Sequence, residues 1–201
     1  MDSIGYYDKY ASLYYESTVE LDMSEILRKF TEYLPEDADI LDLGCGSGRD
    51  SVYFEEQGYS VTPLDGSKEM CQLAEIYTGK EVLNMTFDEL NFDGVFDGVW
   101  ACASLVHVEE SRIDEVLEKV VASLKPGGIL YMSFQYGDFS GYRNQRYFVD
   151  YTKTSLRDLL KKHEKLEIIN IWKTDDVRES KSEQKWVNAL ARKVSETENE
   201  E

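Results

Sequence analysis

The sequence predicts an α/β fold: a seven-stranded, mostly parallel, doubly wound sheet whose last strand runs antiparallel, preceded by a helical lid. Three observations predict it. Short apolar runs alternate with amphipathic stretches from about residue 38 onward, as a parallel sheet with crossover helices requires. A glycine-rich turn follows the first apolar run directly and opens a helix. The chain of 201 residues, 42% hydrophobic, suits one core and leaves no room for a second domain of ordinary size.

Taken in order, Ile4 to Leu34 reads as two helical segments, a lid over residues 1–34, with Tyr6, Tyr7, Tyr10, Tyr14 and Tyr15 crowded into the first. Ile40 to Leu43 is the first strand, and Ser51 to Gln57 begins a helix that ends at Gly58. Tyr59 to Leu64 is the second strand, expected to end early or bulge at Pro63, which has no ladder donor. Val82 to Met85 and Phe96 to Ala101 follow as strands three and four. Ser111 is a candidate N-cap for a helix with an apolar face of Ile113, Val116, Leu117, Val120 and Leu124, stopped by the run Lys125 to Gly128. Ile129 to Phe134 is the fifth strand, Thr154 opens another helix, and Leu166 to Trp172 and Trp186 to Ala191 close the sheet as an antiparallel pair. The domain is expected to span residues 1–194, with 195–201 a disordered acidic tail.

Charge and cysteine content narrow the function. Twenty-two Lys and Arg stand against 40 Asp and Glu, a net charge of −18 that repels phosphate backbones and disfavours a nucleic-acid partner. No apolar run approaches the roughly 20 residues needed to span a bilayer, and the start Met1, Asp2, Ser3 lacks the regions of a signal peptide. No membrane association and a cytoplasmic location are therefore expected. Cys45, Cys71 and Cys102 are odd in number without CxxC spacing, which argues against a disulfide framework and against a metal site.

The turn Asp42, Leu43, Gly44, Cys45, Gly46, Ser47, Gly48 carries the functional signal. Its glycines permit positive φ and close backbone approach to a ligand. A dinucleotide-binding turn has glycine at relative positions one, three and six, whereas position six here is Arg49, and Asp50 would repel a pyrophosphate at the helix start. In this combination of an acidic residue with alternating glycines the chain resembles the class I S-adenosylmethionine-dependent methyltransferases, whose fold is Rossmann-like. Gly48, Arg49, Asp50 and the run Trp100 to Leu105 with His107 look similar to the small bacterial tellurite-resistance-like methyltransferases.

The resemblance implies S-adenosylmethionine as cofactor. Gly44, Cys45, Gly46 and Gly48 would form the backbone wall against it, and Asp42 would orient the turn or the cofactor's amino group. Asp65, 17 residues after Gly48, would accept the two ribose hydroxyls, with Gly66, Ser67 and Met70 beside ribose and adenine. Met85 and Thr86 would contact adenine through the backbone, since Asn84 to Phe87 lacks the aspartate often found there. Ala101 and Cys102, with Ala103, would leave room for the methyl group. Tyr10 and Tyr15 would reach the cofactor from the lid while Tyr14 faces the core. His107 is either a general base or a helix-start histidine packed beside Val106 and Val108. Tyr136, Arg143, Arg146 and Tyr147 lie where this fold recognises its acceptor, a small molecule. The arginines suit an anionic group, or else pair with surface carboxylates.

Overall fold

The central strands bury both faces, and their sequences show it. β1 (Asp39–Leu43) and β4 (Phe96–Ala101) are almost wholly buried, the pattern of parallel strands covered by helices on both sides. The computed structural model describes residues 2–181 and 183–195. Around these strands lie α1 (Ser3–Thr18), α2 (Ser24–Thr31), α3 (Arg49–Glu56), β2 (Ser60–Asp65), α4 (Lys68–Thr78), β3 (Leu83–Asn84), α5 (Ile113–Ser123), β5 (Leu124–Gln135), β6 (Ser140–Arg143), β7 (Arg146–Val149), α6 (Lys153–Lys161), β8 (Leu166–Asp175) and β9 (Lys185–Lys193).

Seven strands form one sheet in the order β3-β2-β1-β4-β5-β9-β8. Strands β1 to β5 pair in parallel, and β9 runs antiparallel to both β5 and β8. This is the expected Rossmann-like sheet. One core layer packs α5 and α6 on it through residues such as Val116, Leu117, Val120, Leu156 and Leu160. The opposite layer packs Ile26, Phe30 and Phe54 of α2 and α3 against Ile40, Trp100 and Tyr131. Trp100 stacks on Tyr131 with ring centroids 4.0 Å apart. α2 comes this close because β4 carries Gly98: a Cβ there would lie 2.6 Å from the Phe30 ring.

Several boundaries differ from expectation for local reasons. β2 runs through Pro63 to Asp65 without ending early. Ser60 N–H donates to Ala38 O and Leu64 O accepts from Gly44, so even-numbered residues face β1. Pro63 then faces the side where β3, which pairs only at Leu64 and Asp65, has not begun, and no donor is missed. The Lys125 to Gly128 run is a bulge inside β5 rather than a stop before it. Register shifts between Phe96 and Gly98, and Lys125 Nζ bridges Asp39 and Asp97 at 3.0 and 2.8 Å. Arg112, not Ser111, is the N-cap of α5; α6 starts from Thr152, whose hydroxyl accepts from Ser155 N–H. The hairpin β6–β7, outside the main sheet, was not anticipated. Of the expected acidic tail, residues 196–201 lie outside the described residues.

Candidate active site

The turn after β1 is built from the backbone outward. Gly44 and Cys45 both donate to Leu64 O at 2.9 Å, holding the turn against the end of β2. Gly44 has φ +78°, and a Cβ there would sit 2.5 Å from Ser104 Cβ, so this position admits only glycine without rearrangement. Gly48 caps α3, where a Cβ would meet Thr78 and Ala74 of α4; it tightens helix packing and does not line the cleft.

Asp65, at the carboxyl end of β2, accepts Gly46 N–H on Oδ2 (3.0 Å) and Ser67 N–H on Oδ1 (2.8 Å). A carboxylate offers about four acceptor positions, so each oxygen keeps one for a ligand in the cleft. Burial pushes its pKa up while the two N–H bonds oppose that shift. Ser67 caps α4 by accepting Met70 N–H, and its hydroxyl donates to Asp8 Oδ1 at 2.7 Å, tying α1 to the site.

The other wall is ionic. Asp42 is buried and accepts Ser51 Oγ at 2.6 Å; burial, with Asp50 nearby, pushes its carboxyl up to about 8. Asp50 takes Arg49 in a two-pronged pair at 2.6 and 2.9 Å and accepts the Trp100 indole N–H at 2.8 Å. A pyrophosphate at this helix start would meet that carboxylate.

Two compartments open off the turn. The inner one, about 650 Å³ with its own open mouth, is lined by Gly44, Gly46, Asp65, Gly66, Ser67, Met70, Thr86 and Phe87. The outer one, about 1040 Å³ with its open mouth, reaches Met23, Ile26, Gln135, Phe148, Trp186 and the loop from Asp176 to Lys181. Both are bounded by Tyr7, Tyr14, Gly44, Gly46, Cys102, Ala103 and His107, which makes them the two ends of one groove. It lies beyond the carboxyl ends of β1, β2 and β4, where open α/β sheets bind ligands.

At the junction, His107 Nδ1 lies 2.7 Å from Tyr147 O, an acceptor, so Nδ1 carries the proton. Nε2 then accepts the Tyr7 hydroxyl at 2.8 Å, and Arg146 Nη1 donates to Tyr7 Oη at 3.0 Å. Burial pulls the His107 pKa down to about 4 and drives the Tyr7 phenol far above its ordinary value. Both groups are neutral at pH 7.

The structure distributes the expected residues unevenly. Asp42, Gly44, Cys45, Gly46, Asp65, Gly66, Ser67, Met70, Thr86, Cys102, His107 and Arg146 line the groove. Ala101 is buried in β4 just behind Cys102, and Met85 N–H donates to Asp65 O behind the inner compartment. Tyr10 and Tyr15 turn away, a correction to the lid reading: Tyr10 stacks on Tyr6, and Tyr15 packs on Tyr77 of α4. Tyr7 and Tyr14 take the places given to them, and Tyr14 faces the groove, with Tyr14 Cε1 3.6 Å from where a Gly46 Cβ would sit. Tyr136 is 39% exposed beside Lys173, Arg143 is consumed by Asp150 and Gln135, and Tyr147 contributes its backbone carbonyl. The Asp176 to Lys181 loop gave no motif to find it by.

The fold and this groove are those of a nucleotide-type binding protein with the Asp50 carboxylate, paired to Arg49, at the start of α3. The family described as "Methyltransferase domain" matches residues 40–128, the stretch from β1 to the β5 bulge. Bacillus subtilis YqeM, a methyltransferase by name, is 33% identical over 131 residues, 62% of this chain and 53% of that protein; the chain thus spans about half of this relative. A Methanosarcina mazei S-adenosylmethionine-dependent methyltransferase superposes with a TM-score of 0.73 at 25% identity, over 88% of this chain and 100% of that one. The Burkholderia thailandensis 1,6-didemethyltoxoflavin-N1-methyltransferase, solved with 1,6-didemethyltoxoflavin and S-adenosylhomocysteine, gives 0.75 at 24% identity, over 96% and 85%. Residues 40–128 thus match a methyltransferase-domain family, and over 88% of its length the chain has the fold of the Methanosarcina S-adenosylmethionine-dependent methyltransferase. Among the described residues no helix is long and apolar enough to cross a membrane.

Proposed function

We propose that the chain transfers a methyl group from S-adenosylmethionine to a small-molecule acceptor, with the cofactor in the inner compartment and the acceptor in the outer one. The observation that carries this reading is the Asp65 carboxylate, with one free acceptor position on each oxygen at the end of a groove walled by Gly44 and Gly46. A vicinal diol matches that pair of positions. When bound, the cofactor supplies an electrophilic methyl that needs no covalent enzyme intermediate.

The protein's part is placement. Holding an acceptor in line can supply several kcal/mol by removing translational and rotational freedom. Cys102 and Ala103 give a small-residue floor at the junction, and burial pushes the Cys102 thiol up to about 12, which keeps it protonated and unreactive. His107 has both ring nitrogens engaged, so a proton leaving the acceptor would reach it only as Tyr7 accepts that proton and passes its own to Nε2. The net charge of −18 weighs towards a small acceptor and against a nucleic acid, and the Burkholderia neighbour is named for a reaction on a small molecule. Calorimetric titration with S-adenosylhomocysteine and, separately, with NAD tests the reading. Binding of the first alone is expected; binding of NAD alone would sink it.

A further inference from the structure

We propose that the acceptor carries an anionic group, held in the outer compartment by Arg146 and Lys181; this rests on the methyltransferase reading above. The charges lining that compartment pair off one by one. Arg49 is taken by Asp50. Arg178 is taken by Asp176 through Nε at 2.8 Å and Nη2 at 2.5 Å, with Trp186 also donating to that carboxylate. Asp175 pairs with Lys185. Asp42 is turned into the floor towards Ser51.

Two cations remain. Arg146 has no carboxylate partner among the described residues. Its guanidinium lies over the rings of Tyr6 and Phe148 at 4.4 and 5.0 Å, it spends one N–H on the neutral Tyr7 hydroxyl, and its Nε is shielded from solvent with no acceptor. Lys181 lines the same compartment, also without a carboxylate partner among the described residues. Partial burial lowers its pKa, and the nearby Arg178 and Arg146 act in the same direction against the opposing charge of Asp176. In a chain with 40 acidic and 22 basic residues, such a pair facing an empty space is the arrangement that an incoming anion completes. Met23, Ile26, Phe148 and Trp186 give the compartment an apolar and aromatic side, beside polar Thr18, Ser133, Gln135, Thr174 and Asn188. The ligand class is therefore a small organic acid with a flat or apolar body.

The competing source of negative charge is the cofactor's own methionine carboxylate, and the test separates the two. S-adenosylhomocysteine is titrated first into wild type, Lys181→Gln and Arg146→Gln; benzoate and benzamide are then titrated into each saturated protein. Wild type is expected to bind benzoate at least about tenfold tighter than benzamide, and each variant to lose most of that preference while its S-adenosylhomocysteine affinity stays within about twofold. Equal binding of benzoate and benzamide by wild type would overturn the proposal. So would a parallel loss of S-adenosylhomocysteine affinity in the variants, which would assign the cations to the cofactor. If wild type fails to bind S-adenosylhomocysteine at all, the methyltransferase reading itself fails, before any benzoate is added.

Discussion

The Tyr7 hydroxyl donates to Nε2 of His107 across 2.8 Å, joining the first helix of the chain to the loop after β4. With Nδ1–H donated to Tyr147 O, the imidazole is held as a neutral bridge between three elements. Its pKa of about 4 lies below the ordinary histidine value because burial penalises the charged ring.

That depression fixes the sign of a pH effect. The unfolded chain protonates His107 near pH 6.5, the folded chain only near pH 4, so this group costs nothing above about pH 7 and costs stability increasingly as pH falls between those values. The full loss is about 3 kcal/mol from the pKa difference. Urea midpoints of wild type and His107→Gln, compared from pH 7 to pH 4, should therefore converge or cross as pH drops. A constant gap would mean that the ring is not buried neutral. Methylation rate against pH in the same pair tests the base role: superimposable profiles remove it.

Asp65→Ala should weaken S-adenosylhomocysteine binding at least about tenfold, on the scale of 1.5–3 kcal/mol for hydrogen bonds to a charged group. Calorimetry measures it directly. Unchanged affinity would take Asp65 out of the cofactor site, although it lines the inner compartment.

Tyr14→Ala and Tyr10→Ala separate the two faces of α1. Losing the ring that lies along Gly46 should cost about fivefold in S-adenosylhomocysteine affinity, an aromatic contact of ~1 kcal/mol, while the Tyr10 variant should bind as wild type does. The reverse result would restore Tyr10 to the groove.

Trp100→Phe removes the indole N–H from Asp50 and part of the stack on Tyr131. Chemical denaturation should show a loss of about 2 kcal/mol or more. A loss under about 0.5 kcal/mol would mean that Arg49 alone satisfies the buried carboxylate.

Legibility followed chain distance. Gly44, Gly46 and Asp65 could be read directly because a turn and a strand end are short local patterns, and local patterns survive folding. The tyrosines could not. A continuous 3.6-residue wheel puts Tyr10 on one face with Tyr7 and Tyr14, but α1 departs from helical geometry at Tyr10 (φ −117°, ψ 22°), and the Tyr10 ring packs on Tyr6 instead. The β6–β7 hairpin turns on Asn144 and Gln145 with φ +49° and +68°. A primed turn usually announces itself with glycine, and Gln145 hides it. The Asp176 to Lys181 loop enters the groove only because β9 inserts between β5 and β8, which no local pattern encodes.

The β6–β7 hairpin pairs only with itself, apart from a single bridge between Tyr136 and Tyr151 at its base. Its hold on His107 is the main-chain carbonyl of residue 147, which any residue there would provide, together with the Phe148 ring 4.7 Å from the imidazole. Selection can thus rewrite residues 140–146, Arg146 included, and change which molecule is accepted while the buried Phe148 and Val149, the glycine turn and Asp65 stay as they are. The hairpin is an exchangeable cassette, and grafting one from a relative is the natural route to a new acceptor range.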